Sequence, residues 1–163
     1  MIHANGDQAI EFTLQAYDLA LQGQSGLDKR HRIEHCSLLS KSTLETMQRL
    51  GLSPSFLIGH VGYWGYAFDK AIFEKKAHNM LDLCKSALDH ELRISLHSDY
   101  SVTPLGPLRS MEQAVTRKME GIRNHDNLFV HDPRLQPILN EGQCLTRKQA
   151  LKAITYDLSL IHI

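Results

Sequence analysis

From Asp7 onward, apolar side chains recur at Ile10, Leu14, Tyr17 and Leu21, the spacing of one helical face, and the stripe runs out at QGQSG. HRIEHC, which comes next, reads as a short strand ending in His35. Ser42 and Glu45 stand in capping-box spacing ahead of Leu44, Met47 and Leu50, predicting a second, shorter helix. SPSFLIGH is an apolar run compatible with a buried strand, with Pro54 near its start, where a missing N–H is tolerated. VGYWGYAF reads as a loop of glycines and aromatics, and Phe73, Ala77, Leu81, Cys84 and Leu88 predict a third helix. ELRISLHSD is a further strand with Asp99 just beyond its end, and Pro104 and Pro107 precede a helix bearing Leu108, Met111 and Val115.

Residues 121–143 show no period and contain Pro133 and Pro137, so a long loop is expected there. Thr146 and Gln149 then form a capping box for a last helix through Leu151 and Ile154. Alternation of helix and strand along the whole chain predicts an α/β fold with a parallel sheet, and it makes MIHA the final piece of a strand.

Composition acts mainly by exclusion. Eighteen basic and eighteen acidic residues cancel, which argues against a broad electrostatic footprint for nucleic acid or an anionic membrane. No apolar run approaches the roughly 20 residues that a membrane-spanning helix needs. Cys36, Cys84 and Cys144 are far apart, without a C-x-x-C pair, and read as reduced, mostly buried thiols. Within 163 residues the chain can build one ordinary domain with a sizeable core.

The chemistry lies in the spacing of strand ends. A (β/α)8 barrel of roughly 250 residues divides into units of about 31. His3 and His35 are 32 positions apart, and His35 and Asp99 are 64 apart. One and two barrel units would therefore separate two imidazoles and a carboxylate at the same end of three strands, where barrel active sites are built. Such donors suit zinc or a similar divalent ion.

At these residues the sequence also resembles a known family. HANGD, HRIEHC and SLHSDYSVTPLGPL, in this order and at these separations, are similar to the second half of the metal-dependent amidohydrolase superfamily, in the amidohydrolase family 3 branch that contains N-substituted formamide deformylases. GHVGYWGYAF resembles that branch's loop after the seventh strand, and LTRKQALKAIT the helix after the eighth. The resemblance covers residues 1–157. It implies a partial TIM barrel, roughly the last four βα units, with His3 ending the fifth strand, His35 the sixth and Asp99 the eighth. It implies a hydrolase of non-peptide carbon–nitrogen bonds, with one or two divalent ions, zinc expected, and a small-molecule amide substrate.

On this resemblance His3, His35 and Asp99 are candidate metal ligands and Asp99 the candidate general base, while His35 could instead polarise substrate. Asn5 and Asp7 are read as supporting partners or a helix cap. His60, Tyr63 and Trp64 form a candidate substrate wall, with simple loop packing the competing reading. His97 should share the strand face of Asp99, either near the pocket or in the core, while Glu34 should point to the face opposite His35. His125, Asp126, His131 and Asp132 read as a solvated loop. The family's His-x-His pair occurs nowhere in these residues, so the chain is expected to lack the N-terminal half of a barrel and to show little turnover alone. LSLIHI, residues 158–163, fits neither that helix nor the family's next segment and reads as a foreign tail. With the start read as truncated, a signal peptide cannot be judged, and a cytoplasmic location is favoured. The competing reading is a non-catalytic half-barrel that assembles with itself or a partner chain, since a four-unit sheet leaves two open edges.

Overall fold

The computed structural model describes residues 1–22, 29–122, 132 and 134–159. Its elements follow the alternation read from the sequence: β1 (Ile2–Ala4), α1 (Asp7–Leu21), β2 (Arg32–His35), α2 (Lys41–Leu50), β3 (Ser53–Leu57), then short helices α3 (Gly59–Gly62) and α4 (Gly65–Ala67). A π-helical turn (Phe68–Ile72) leads to α5 (Lys75–Met80), α6 (Cys84–Asp89), β4 (Ser95–His97), α7 (Pro107–Thr116), α8 (Arg147–Ile154) and α9 (Tyr156–Ser159). The four strands form one parallel sheet in sequential order. Each crossover steps one strand in the same direction, and right-handed crossovers then lay the helices along one face, as in the wall of a (β/α)8 barrel.

Strand pairing aligns His3 with Glu34, and Ala4, His35 and Phe56 with one another. Ser55 aligns with Ser95, Phe56 with Leu96, and Leu57 with His97. Ala4, Ile33, Phe56 and Leu96 join the core that includes Ile10, Leu14, Tyr17 and Leu21 of α1 and Leu44, Met47 and Leu50 of α2. Full burial of Ile33 or Phe56 contributes about 1.5–3 kcal/mol each. The alternate positions, His3, Arg32, Glu34, Ser53, Ser55, Ser95 and His97, make the other face polar. Pro54 aligns with Ile33, one residue before β3 meets β4, so its missing N–H costs no bond to that neighbour.

Three local expectations change. The cap of α2 is Ser40, not Ser42: its Oγ accepts from Thr43 N at 3.2 Å, and Thr43 Oγ1 accepts from Ser40 N at 2.8 Å. Glu45 instead lies 3.9 Å from Lys41 on the exposed surface. The aromatic–glycine segment is helical in short turns rather than a loop, because Gly59 and Gly62 let it approach Thr103 and Gln113 more closely than a Cβ would allow. The expected third helix is interrupted between α5 and α6, where Leu39 N donates to Met80 O at 3.0 Å and Asp82 N to Ser37 O at 2.9 Å. Asp82 adopts φ 45° there. Thr146 and Gln149 do cap α8 as expected, and Pro107 opens α7. Of the expected tail, Leu158 and Ser159 continue α9 and the remainder lies outside the described residues.

The interruption is held from behind by Arg117. Its side chain is fully buried and donates to Leu139 O (2.7 Å), Asp82 O (3.0 Å) and Leu81 O (2.9 Å). The Asp82 carboxyl is also fully buried, and neither oxygen has a hydrogen-bond partner among the described residues. Burial pushes it well above the usual carboxylate range, opposed only in part by the Arg117 charge. Burial likewise pulls Arg117 down from its ordinary value, so desolvation outweighs the attraction on both sides. The folded chain thus keeps a proton on Asp82 that the unfolded chain releases, and stability through this group falls as pH rises above the ordinary carboxylate value of about 3.9. Asp82→Asn is expected to remove that downward component and to be more stable than the wild type at neutral pH. Urea denaturation of both proteins between pH 4 and pH 8 checks it (the range spans roughly the ordinary carboxylate and imidazole values). A wild type whose advantage over the variant grows with pH contradicts it.

Candidate functional site

The polar ends of the strands meet at the C-terminal edge of the sheet. By register His35 lies level with Ala4 and Phe56, on the side of the helices. Its φ of 75° breaks the alternation. The ring packs instead at 4.4 Å, edge to face, from the His3 ring and at 5.1 Å from the His97 ring. A non-glycine residue in the left-handed region is strained, and such strain collects at functional positions. Glu34 therefore does not face away from the site: it shares the register of His3, and its charge acts on both His35 and His97. Alternation predicted Glu34 and His35 on opposite faces, and the turn of the backbone at His35 is what brings them to one side. Glu34 is held by Arg32 at 2.8 Å.

Asp99 follows β4 by two residues with φ 47°, in a turn where Val102 N donates to Asp99 O at 2.6 Å and Thr103 N to Ser98 O at 3.2 Å. It is exposed, and its charge acts on His35, His60 and His97. Desolvation, then the neighbouring His3, lowers the pKa of His35. Desolvation also lowers His97. A neutral imidazole is the form that ligates metals.

His60 sits in α3, buried, with Nδ1 2.7 Å from Ser37 Oγ and its ring at 5.2 Å from Phe68. Burial drives its pKa to about 4, helped by His35 and His97, so the ring is neutral near pH 7. A cavity of about 270 Å³ opens beside it, lined by Asn5, Ser37, Leu38, His60, Phe68 and Phe73. No Asp, Glu, Lys or Arg is among those residues. Asn5 lines the same cavity, and its Oδ1 is buried without a partner among the described residues. Tyr63 and Trp64 do not line it: both are part-exposed, and the Arg109 guanidinium lies 5.7 Å from the Tyr63 ring. Ser37, Phe68 and Phe73 are not among the site residues expected from the sequence, although Ser37 stands two residues beyond a strand-ending histidine, where barrel sites are built. Asp7 pairs with Lys76 Nζ at 2.5 Å and does not cap α1, whose N-cap is Gly6. His125, Asp126 and His131 lie outside the described residues, and Asp132 pairs with Arg134 at 2.7 Å.

Among the described residues no three His, Cys, Asp or Glu side chains stand close enough together to hold a divalent ion. The pieces nevertheless suit part of such a shell: two imidazoles in ring contact, a carboxylate at a nearby strand exit, and His35 Nδ1 buried without a hydrogen-bond partner.

Sequential parallel strands with titratable side chains gathered at their C-terminal ends define an α/β protein with a parallel sheet whose candidate site lies at the strand ends. Residues 1–157 match the amidohydrolase family, and the chain belongs to it. It is similar to N-substituted formamide deformylase of Arthrobacter pascens, 32% identical over 117 residues, covering 72% of this chain and 21% of that protein. It is also similar to Protein LONG AFTER FAR-RED 3 of Arabidopsis thaliana, 28% identical over 116 residues, covering 71% of this chain and 20% of that protein. The chain thus spans about a fifth of the length of these curated relatives. Among solved structures, uncharacterized metal-dependent hydrolases of Pyrococcus horikoshii OT3 and Pyrococcus furiosus share its fold. Their TM-scores are 0.73 and 0.69 at 21% and 19% identity, over 98% of this chain and 28% of each of theirs. Among the described residues no helix is long and apolar enough to cross a membrane.

Proposed function

We propose that this chain contributes His3, His35 and Asp99 to the centre of a metal-dependent hydrolase of non-peptide carbon–nitrogen bonds. The observation that supports it most directly is the turned backbone at His35, which brings its ring against His3 on the polar face of the sheet. Membership of the amidohydrolase family and the similarity to a deformylase of N-substituted formamides point to an amide substrate. The centre would be completed by strands pairing with the outer edges of β1 and β4, on the same polypeptide or another.

Zinc suits imidazole and carboxylate donors, and a bound ion would acidify a water and polarise the scissile carbonyl. Asp99 accepts the proton of the attacking water at a carboxylate oxygen and returns it to the leaving nitrogen, which departs as a neutral amine. His60, on the cavity wall, donates a hydrogen bond to the carbonyl oxygen as negative charge develops there. Tyr63 and Trp64 are further out and close the approach to that wall.

Equilibrium dialysis of the purified chain against zinc tests the ligand assignment. Binding by the chain alone is expected to be weak, and His3→Ala and His35→Ala should each lower affinity at least about tenfold, since even partners of ligands cost 10–100-fold. His90→Ala, whose ring bonds Ser86 O at 2.8 Å, should leave it unchanged. Equal zinc uptake by all four proteins rejects the assignment.

A further inference from the structure

Ser37 is 4% exposed, and among the described residues its hydroxyl has one hydrogen-bond partner, Nδ1 of His60. The direction of that bond decides what His60 can do. A neutral imidazole carries one N–H, so one ring nitrogen donates and the other accepts. If Nδ1 held the proton, it would donate to Ser37, and the hydroxyl proton would have no acceptor among the described residues. Leaving a buried donor unsatisfied is costly, because its bond to water is lost and not replaced. If Ser37 donates to Nδ1, the hydroxyl proton is satisfied and the ring proton sits on Nε2. That nitrogen has room to use it: among the described residues His35 Nδ1 and His97 Nε2 are sealed in without partners, whereas His60 Nε2 is not, and its ring lines the cavity.

We propose that Ser37 is a positioning residue that donates to Nδ1 of His60 and thereby presents Nε2–H to the cavity. The consequence for His60, which rests on the hydrolase reading above, is that it serves as a donor to a substrate oxygen and not as a base. Ser37 is itself held from the main chain, its carbonyl accepting from Asp82 N at 2.9 Å. The interruption between α5 and α6 thus holds the residue that orients the His60 ring.

The test is long-range ¹H–¹⁵N spectroscopy of the chain labelled with ¹⁵N-histidine at neutral pH, with the His60 signals identified by their loss in His60→Gln. The expected wild-type pattern is a pyrrole-type Nε2 and a pyridine-type Nδ1 shifted upfield by an accepted hydrogen bond. In Ser37→Ala, Nδ1 should move downfield to the position of an unbonded ring nitrogen, and Ser37→Thr should restore it. A pyrrole-type Nδ1 in the wild type overturns the proposal whether or not a variant folds, as does an Nδ1 signal that Ser37→Ala leaves in place. The outcome is independent of zinc dialysis on His3 and His35, so failure of the metal assignment and failure of this one are told apart.

Discussion

Arg117→Ala should destabilise the chain by about 3 kcal/mol or more, because one buried side chain supplies the donors for three buried main-chain carbonyls. Three main-chain carbonyls, of Leu81, Asp82 and Leu139, would lose their donor in a place water does not reach, and each orphaned group costs about 1–3 kcal/mol. A cavity the size of the lost side chain adds to this. Against a total stability of about 5–15 kcal/mol for an ordinary domain, the variant would be marginally folded. Arg117→Lys should recover little, because a single ammonium on a flexible stem cannot reproduce three fixed N–H directions. Urea denaturation followed by circular dichroism measures the loss. A midpoint within experimental error of the wild type in Arg117→Ala would show that the clamp does not hold the fold. The effect should reach the site as well, since the segment Arg117 grips is the one whose Asp82 N–H holds the carbonyl of Ser37.

Asp99→Asn carries the largest expected effect on activity. In a polypeptide assembly with all eight βα units, kcat for amide hydrolysis should fall by about 10²–10⁴-fold, the usual contribution of a positioned acid–base group. Asparagine keeps the shape but can neither take the water's proton nor deliver one to the leaving nitrogen. The split between kcat and zinc content separates its roles. Retained zinc with lost kcat marks Asp99 as the base, and lost zinc with lost kcat marks it as a ligand. Unchanged kcat would remove it from both. The surroundings of Asp99 suit proton transfer, because it is exposed at the exit of β4, where a water can reach it, and its field falls on His35, His60 and His97.

Much of the fold was legible in the chain because it is written in local periods. The stripe of Ile10, Leu14, Tyr17 and Leu21 specifies α1, since residues three and four apart share a helical face. HRIEHC and SLHS carry alternating positions that become the two faces of the sheet, and Pro107 and Thr146 mark helix starts by elementary backbone and capping chemistry. The interval of 32 residues between His3 and His35 implied adjacent parallel strands, and β1 and β2 are paired one residue away from that alignment. Where the period is interrupted for a tertiary reason, the reading fails. Nothing local marks Asp82 as a helix break, because the groups that stabilise the break are Ser37, Leu39 and Arg117, all at least 35 residues away.

The sequence by itself therefore determined the α/β alternation, the parallel order of the strands and which residues arrive at their C-terminal ends, because those depend on spacing along one chain. Tertiary structure alone decided how the arrivals are used. The left-handed backbone at His35 turns its ring from the helix side to the face of His3 and His97, which strict alternation forbids. Ser37 meets His60 across 23 residues, and Phe68 and Phe73, not Tyr63 and Trp64, line the cavity beside them. Such contacts join segments whose separation in sequence carries no period, and only the packed sheet and its connecting turns bring them within reach of one another.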